Sequence, residues 1–309
     1  MLDINAEIGK LDWSRKPKGL YEPIGYTLAA GGKRVRPQLA LLATKLFGGK
    51  EEDVLPAALA LEVFHNFTLL HDDVMDKAEV RRGRPTVHVK WNENTAILSG
   101  DQMMIEAYKL LSQVPEKKLA KVLRLFNKMA TEICEGQQYD VDFEQRDDVT
   151  IAEYMEMIRL KTSVLLATAL QIGAYIGYAD EDQQEKIYAY GIHVGLAFQI
   201  QDDMLDCYGD EATFGKAIGG DIAENKKTYL WLTAAEKGAS EELSVRDESK
   251  EERFKRIIGI YDRLGVKASA EKEIARQTEE AVACLESLPQ NEYTEQLRAM
   301  ARKLADRNK

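Results

Sequence analysis

Residues 54–76 read VLPAALALEVFHNFTLLHDDVMD. Apolar side chains recur three and four positions apart and no glycine interrupts them, which is the pattern of one long helix. The stretch is apolar nearly all round, so the helix belongs in a core rather than on a surface. It ends in Asp72-Asp73-Val74-Met75-Asp76. Helical spacing places Asp72 and Asp76 on one face a turn apart, with Asp73 beside Asp76. Three carboxylates in one turn repel one another, and at a helix C-terminus they also oppose the helix dipole. One reading is a solvated acidic patch. The other is a cation site, because acids backed by apolar surface require a compensating positive charge.

A second stretch decides between them. Residues 181–207, EDQQEKIYAYGIHVGLAFQIQDDMLDC, are again helical and apolar and end in Asp202-Asp203-Met204-Leu205-Asp206. Two DDxxD clusters, each closing an apolar helix, favour the cation site. Oxygen donors without a Cys or His set alongside select Mg²⁺ or Mn²⁺ over zinc. Mg²⁺ commonly bridges carboxylates to phosphate groups, so a phosphorylated ligand is expected.

The remaining pattern is helical too. Periodicity predicts helices over 93–112, 116–139, 150–159, 161–177, 222–237, 250–262, 267–287 and 291–306. Pro115 and Pro289 stand where helices start, which suits a residue without an N–H. Residues 81–86 and 208–221 read as loops, and 238–249 as a solvated connector. Only 7 Pro and 21 Gly in 309 residues leave few breakers for many short strands. The expected fold is all-α, a single-domain helical bundle over residues 1–309, with both acidic clusters facing one deep central cavity.

Charge and composition exclude several classes. A net charge of -10, from 42 basic and 52 acidic side chains, argues against nucleic acid or an anionic membrane surface as the main partner. Cys134, Cys207 and Cys284 are unpatterned, which gives neither a disulfide framework nor a zinc knuckle. No basic-then-apolar leader is visible at the start, and no window of 18 uncharged apolar residues predicts a membrane span. A cytoplasmic, reduced location is expected.

Basic residues gather near the acids. Gly31-Gly32-Lys33-Arg34-Val35-Arg36-Pro37 is a glycine-hinged turn before a helix, and Arg81-Arg82-Gly83-Arg84 follows the first cluster. Guanidinium groups grip phosphate oxygens in pairs, so Lys33, Arg36, Arg81 and Arg82 are assigned to phosphate. Arg34, Arg84 and Lys227 are expected to face solvent.

In this order, GGKRVRP, His65, HDDVMD with RRGRPT, Lys161-Thr162, FQIQDDMLD and GKAIGGD resemble the trans-isoprenyl diphosphate synthases, the farnesyl and geranylgeranyl diphosphate synthase family, from Gly31 to Thr228. The resemblance implies a head-to-tail prenyltransferase. An allylic diphosphate ionises and the double bond of isopentenyl diphosphate attacks the resulting cation. It implies three Mg²⁺ among Asp72, Asp76 and Asp202, with Asp73, Asp203 and Asp206 completing direct or water-mediated shells, and Mn²⁺ able to substitute. Arg81, Lys161, Lys216 and Lys226 are implied at the allylic diphosphate, and Lys33, Arg36, His65 and Arg82 at isopentenyl diphosphate. Thr162 and Gln199 are implied as neutral dipoles facing the cation, with Asp203 on the same side. Gln137 and Asp140 are implied as support for the allylic site, His71 as a neighbour of the acids, and Tyr139 and Cys134 as packing. Phe64, Phe67 and Thr68 are implied to set product length. The aromatic pair points to farnesyl diphosphate (C15), with geranylgeranyl diphosphate (C20) as the alternative. A homodimer is also implied. A class I terpene cyclase would replace the second DDxxD with an Asn, Ser/Thr and Glu motif. A silent regulatory subunit would lose one acidic cluster.

Overall fold

The computed structural model describes residues 2–209, 218–245 and 247–305. Packing of the backbone divides the chain into two compact units, Met1–Asn127 with Thr168–Glu185, and Lys128–Ala167 with Lys186–Lys309.

The first unit begins with α1 (Ile4–Gly9), α2 (Lys18–Leu28), α3 (Val35–Leu46) and α4 (Glu51–Met75). A minimal hairpin follows, β1 (Val80–Arg81) and β2 (Arg84–Pro85), then α5 (Val87–Lys90) and α6 (Glu93–Leu111). Helix α4 starts three residues earlier than the apolar pattern suggests, because Glu51, Glu52 and Asp53 fill its first turn, where carboxylates suit the positive end of the helix dipole. It packs against α3 and α6. Val54, Ala57, Ala58, Ala60, Leu61 and Val63 are fully buried along it, and the alanines allow close approach. Its most apolar 18-residue window has a mean hydropathy of 1.3, in the range of a membrane span, yet 61% of that window is buried inside the protein, as in a core helix.

The expected loop at 81–86 is instead a two-residue hairpin, with Val80 paired to Pro85 and Arg81 to Arg84. Arg82 and Gly83 both have positive φ, 54° and 71°, the signature of a type I′ turn. The sequence lacks the Asn-Gly or Asp-Gly that usually announces such a turn.

Helix α7 (Glu116–Glu144) starts after Pro115, as expected. The second unit holds its later part, α8 (Ile151–Ile158), a π-helical turn at Arg159–Ser163, the start of α9 (Val164–Ile176) and most of α10 (Glu181–Tyr208). A capping box of Thr150 and Glu153 starts α8. The predicted helix over 222–237 is broken into α11 (Gly220–Ala223) and α12 (Tyr229–Ala234). The break contains Asn225, whose φ of 61° cannot continue a right-handed helix. The connector at 238–249 is not wholly solvated: α13 (Ser240–Leu243) lies within it, and Ala239 and Leu243 are buried. Helices α14 (Lys250–Arg263), α15 (Val266–Cys284) and α16 (Glu292–Ala305) complete the chain. The core of this unit joins Tyr154, Ile158, Ile200 and Met204 to Leu230, Ile257 and Tyr261.

The π turn carries Lys161 and Thr162, and Gly195 of α10 lets that turn approach. A Cβ at Gly195 would lie 2.5 Å from the Cα of Ser163. Gly195→Ala is therefore expected to push α10 off the π turn at a cost of about 1–3 kcal/mol. The check is a thermal melt showing Tm lower by several degrees. An unchanged Tm would mean that the helices part without cost.

Candidate active site

In the first unit, the glycine turn before α3 and the hairpin after α4 bring basic groups together. Arg82 takes its left-handed conformation at the hairpin tip and donates to the carbonyl of Gly31. Arg34, expected in solvent, is buried: it donates to Glu62 of α4 at 2.7 Å and to the carbonyl of Leu28 at 2.6 Å. A buried ion pair of this kind fixes register more than it stabilises, and here it pins the GGKRVRP turn onto α4. Arg36 is half-buried and its Nε has no hydrogen-bond partner among the described residues. Burial draws its guanidinium down to about 10, so it remains charged at neutral pH. His65 is held neutral, first by burial and then by the guanidinium groups of Arg36, Arg82, Arg81 and Arg34. Four arginines around one neutral imidazole make an environment that a polyanion would balance. Lys33 lies on the exposed edge of the same turn.

The first acidic cluster stands beside this basic group. Arg81 donates to Asp73 at 2.6 Å and lies 3.9 Å from Asp72. Asp73 is buried, which raises its carboxyl, while Arg81 opposes that shift. Asp76 caps the C-terminus of α4, one turn from Asp72, as the spacing predicts. The Nε2 of His71 lies 3.0 Å from the carbonyl of Ile97 on α6 and 3.9 Å from Asp101. Gly100 makes this possible, since a Cβ there would fall 2.2 Å from that nitrogen.

Below the acids, α4 carries an aromatic stack. The ring of Phe67 lies 4.8 Å from His71 and 5.2 Å from Phe64. Phe64 meets Phe126 of α7 edge-on at 5.1 Å, and Phe126 meets Tyr108 of α6 at 5.3 Å. Thr68 turns its hydroxyl back to the carbonyl of His65 at 2.8 Å. Phe126 carries no sequence signal of its role, since it is one apolar residue in an amphipathic helix 62 residues beyond Phe64.

The second unit contains a pocket of about 100 Å³, lined by Lys161, Thr162, Gln199, Asp203, Lys226 and Lys227 among others. Lys161 pairs with Asp140 at 2.6 Å, which joins two residues of the sequence reading, and Gln137 stands half-buried one turn before Asp140 on α7. Thr162 donates to Gln199 at 3.0 Å, and Gln199 donates to Asp203 at 3.1 Å. Asp203 is buried and also accepts from the hydroxyl of Tyr154. Burial pushes its carboxyl up to about 7 against these hydrogen bonds. Asp202 is half-buried, and Asp206 is buried with the backbone N–H of Asp221 donating to it at 3.1 Å. Lys227, expected in solvent, has a side chain 1% exposed and packs its ammonium 4.6 Å from the Trp231 ring centroid. Lys226 is half-buried and pairs with Glu224 at 3.1 Å. Lys216 lies outside the described residues. Tyr139 and Cys134, expected to pack, are exposed.

Among the described residues, no three His, Cys, Asp or Glu side chains converge as a ready-made metal centre. The donor chemistry nonetheless suits a hard divalent cation: each motif offers carboxylates one turn apart, Asp72 with Asp76 and Asp202 with Asp206. Asp73 and Asp203 are instead engaged by Arg81, and by Tyr154 and Gln199. Two carboxylates leave a Mg²⁺ sphere to be completed by water and phosphate oxygens, which is how this ion usually binds.

Comparison with known proteins fits this geometry. The polyprenyl synthetase family model matches residues 17–261. The geranylgeranyl diphosphate synthase of Methanosarcina mazei is 43% identical over 264 residues, which are 85% of this chain and 82% of that protein. The geranylfarnesyl diphosphate synthase of Natronomonas pharaonis is 38% identical over 312 residues, 95% of this chain and 92% of that protein. A crystal structure of a geranylgeranyl pyrophosphate synthase superposes with a TM-score of 0.93 at 44% identity, covering 99% of both chains.

Proposed function

Because the chain belongs to the polyprenyl synthetase family, and is thereby a short-chain trans-isoprenyl diphosphate synthase, we propose that it makes geranylgeranyl diphosphate (C20) from isopentenyl diphosphate and an allylic primer. Relatives named for C20 and C25 products support this over the C15 product expected from the aromatic pair. The physical reason lies at Thr68. A second aromatic there would narrow the tube beside Phe67, whereas threonine with its hydroxyl turned to the backbone leaves room for another isoprene unit.

The division of labour follows the charges. The basic group of Arg36, His65 and Arg82, with Lys33 at its edge, holds isopentenyl diphosphate, which keeps its diphosphate throughout. Neutral His65 contributes a hydrogen bond and no added charge. Lys161 and Lys226 bind the departing allylic diphosphate, with Lys216 and Arg81 in the same role, while Gln137 and Asp140 position Lys161. Thr162 and Gln199 offer oxygen dipoles to the cation without the nucleophilicity of a carboxylate. Asp72, Asp76, Asp202 and Asp206 would hold the Mg²⁺ ions, three by the resemblance, as expected of a family that generally depends on divalent metal. Bound Mg²⁺ neutralises charge gathering on the leaving diphosphate. Residues 1–309 form one polyprenyl synthetase domain in this reading, supported by a family match that runs through segments of both units. Exposed Ile97, Leu98, Ile105 and Tyr108 on α6 support a homodimer. Three unpaired cysteines support a reducing, cytoplasmic location.

The observation that carries the reading is that basic groups stand at both motifs: Arg81 is paired with Asp73 of the first DDxxD, and Lys161 and Lys226 line the same pocket as Asp203 of the second. The test is incubation with Mg²⁺, isopentenyl diphosphate and each allylic primer, followed by separation of products by length. A major C20 product is expected. No elongated product from any primer would refute the function, and a major C15 product would refute the length. Arg36→Ala is expected to raise KM for isopentenyl diphosphate roughly ten- to hundredfold, the value of one charge-assisted hydrogen bond. The KM for the allylic primer should move little. Equal rises in both would refute this division of the two sites.

A further inference from the structure

Tyr154 belongs to none of the motifs above, yet it is 2% exposed at the base of the pocket that holds Lys161 and Thr162. Its position is set locally. The capping box of Thr150 and Glu153 begins α8, and Tyr154 follows at once, its N–H on the carbonyl of Thr150 at 3.0 Å. Its hydroxyl donates to Oδ2 of Asp203. The other oxygen, Oδ1, accepts from Nε2 of Gln199 at 3.1 Å, and the backbone N–H of Tyr229 adds a third donor to the carboxyl.

Those bonds orient everything above them. With Nε2 committed to Asp203, Gln199 presents Oε1 to the hydroxyl of Thr162 at 3.0 Å. A threonine hydroxyl has one hydrogen and two lone pairs. Once that hydrogen is given to Gln199, only lone pairs remain for the pocket. A neutral oxygen in that state stabilises positive charge and cannot donate a proton to the departing diphosphate.

We propose that Tyr154 is a positioning residue for the ionisation step, acting through Asp203 and Gln199 to hold the lone pairs of Thr162 toward the developing cation. The inference rests on the prenyltransferase reading above. Without the phenol hydroxyl, a buried carboxyl loses one of its three donors. Asp203 then draws the nearest one, the second N–H of Gln199, and the amide turns away from Thr162.

The experiment compares wild type with Tyr154→Phe, which keeps the ring and removes only the donor. With folding checked by thermal melt, kcat is expected to fall roughly tenfold to hundredfold, the cost of a small misplacement near reacting atoms. Both KM values should stay within about threefold, because the diphosphate ligands are untouched. In a Gln199→Ala background the same change should cost less than about twofold, since the link it works through is already gone. A ligand-free crystal structure of Tyr154→Phe should show the Gln199–Thr162 hydrogen bond broken. An unchanged kcat, an equal loss in the Gln199→Ala background, or an intact Gln199–Thr162 bond would each overturn the proposal. If Tyr154→Phe does not fold, Thr162→Val and Thr162→Ser test the end of the chain: serine should retain kcat and valine lose it, and full activity of the valine variant overturns the proposal. Wild type giving no elongated product would refute the function itself, and the variant crystal structure would still decide the hydrogen-bond chain.

Discussion

Asp72→Ala and Asp202→Ala are each expected to lower kcat about a thousandfold or more while KM for isopentenyl diphosphate changes by less than about threefold. Lewis-acid help to a leaving group is worth several kcal/mol, and each 1.36 kcal/mol is a factor of about ten in rate. Each carboxylate stands one helical turn from its partner, Asp76 or Asp206, so one substitution halves the protein ligands that its motif offers. A motif that has lost a carboxylate would hold a divalent cation less firmly, so the negative charge gathering on the departing diphosphate would go uncompensated. In the proposed division of labour, isopentenyl diphosphate is held by other groups. Arg36, His65 and Arg82 keep their places in either variant, since Arg82 is tied to Gly31 and Arg34 to Glu62. The measurement is steady-state kinetics on both substrates with saturating Mg²⁺. A parallel rise in both KM values with kcat unchanged would falsify the assignment of these acids to ionisation.

Phe67→Ala is expected to lengthen the major product by at least one five-carbon unit. Phe67 lies five residues before Asp72, or about 7.5 Å along the helix axis at 1.5 Å per residue. A tail growing from the diphosphate end meets its ring first. Removing that ring opens volume that further methylenes fill, at roughly 0.8 kcal/mol for each buried CH₂. The stack then sets how far the change carries. Phe64 lies behind Phe67 at 5.2 Å, and Phe126 behind Phe64 at 5.1 Å. The single variant should therefore stop one or two units later, and Phe64→Ala combined with Phe67→Ala should go further. Phe64 is 1% exposed, so its loss also costs about 3–5 kcal/mol of stability, and folding is checked first by thermal melt. Product distributions identical to wild type in well-folded single and double variants would show that neither ring is the floor.

Much of this was legible because the chemistry repeats in short range. Apolar spacing marked α4 and α10, and two DDxxD motifs at their ends marked the acids. Periodicity also placed α6, α14, α15 and α16 within a few residues. Misreadings fell where the partner is distant in sequence. Arg34 looked like a surface arginine because its counter-charge, Glu62, is 28 residues away. Lys227 looked solvated because its counter-charge, Asp147, is 80 residues away. The hairpin at Arg82-Gly83 was missed because an arginine at positive φ is unusual and here is held by Gly31, 51 residues earlier. Tyr154 had no local signal at all, since Asp203 lies 49 residues beyond it.

The sequence by itself determined most of the helices, the acidic motifs and the basic turns, because helical period, like-charge repulsion and phosphate recognition act within a few residues, and the resemblance of its motifs pointed to the family. Only the tertiary structure decided which groups are shared. It assigned Arg81 to Asp73, Lys161 to Asp140, and Tyr154 with Gln199 to Asp203. It also set Phe126 behind Phe64. Most of these pairings join separate elements, and the burial that makes each bond matter exists only once those elements have packed.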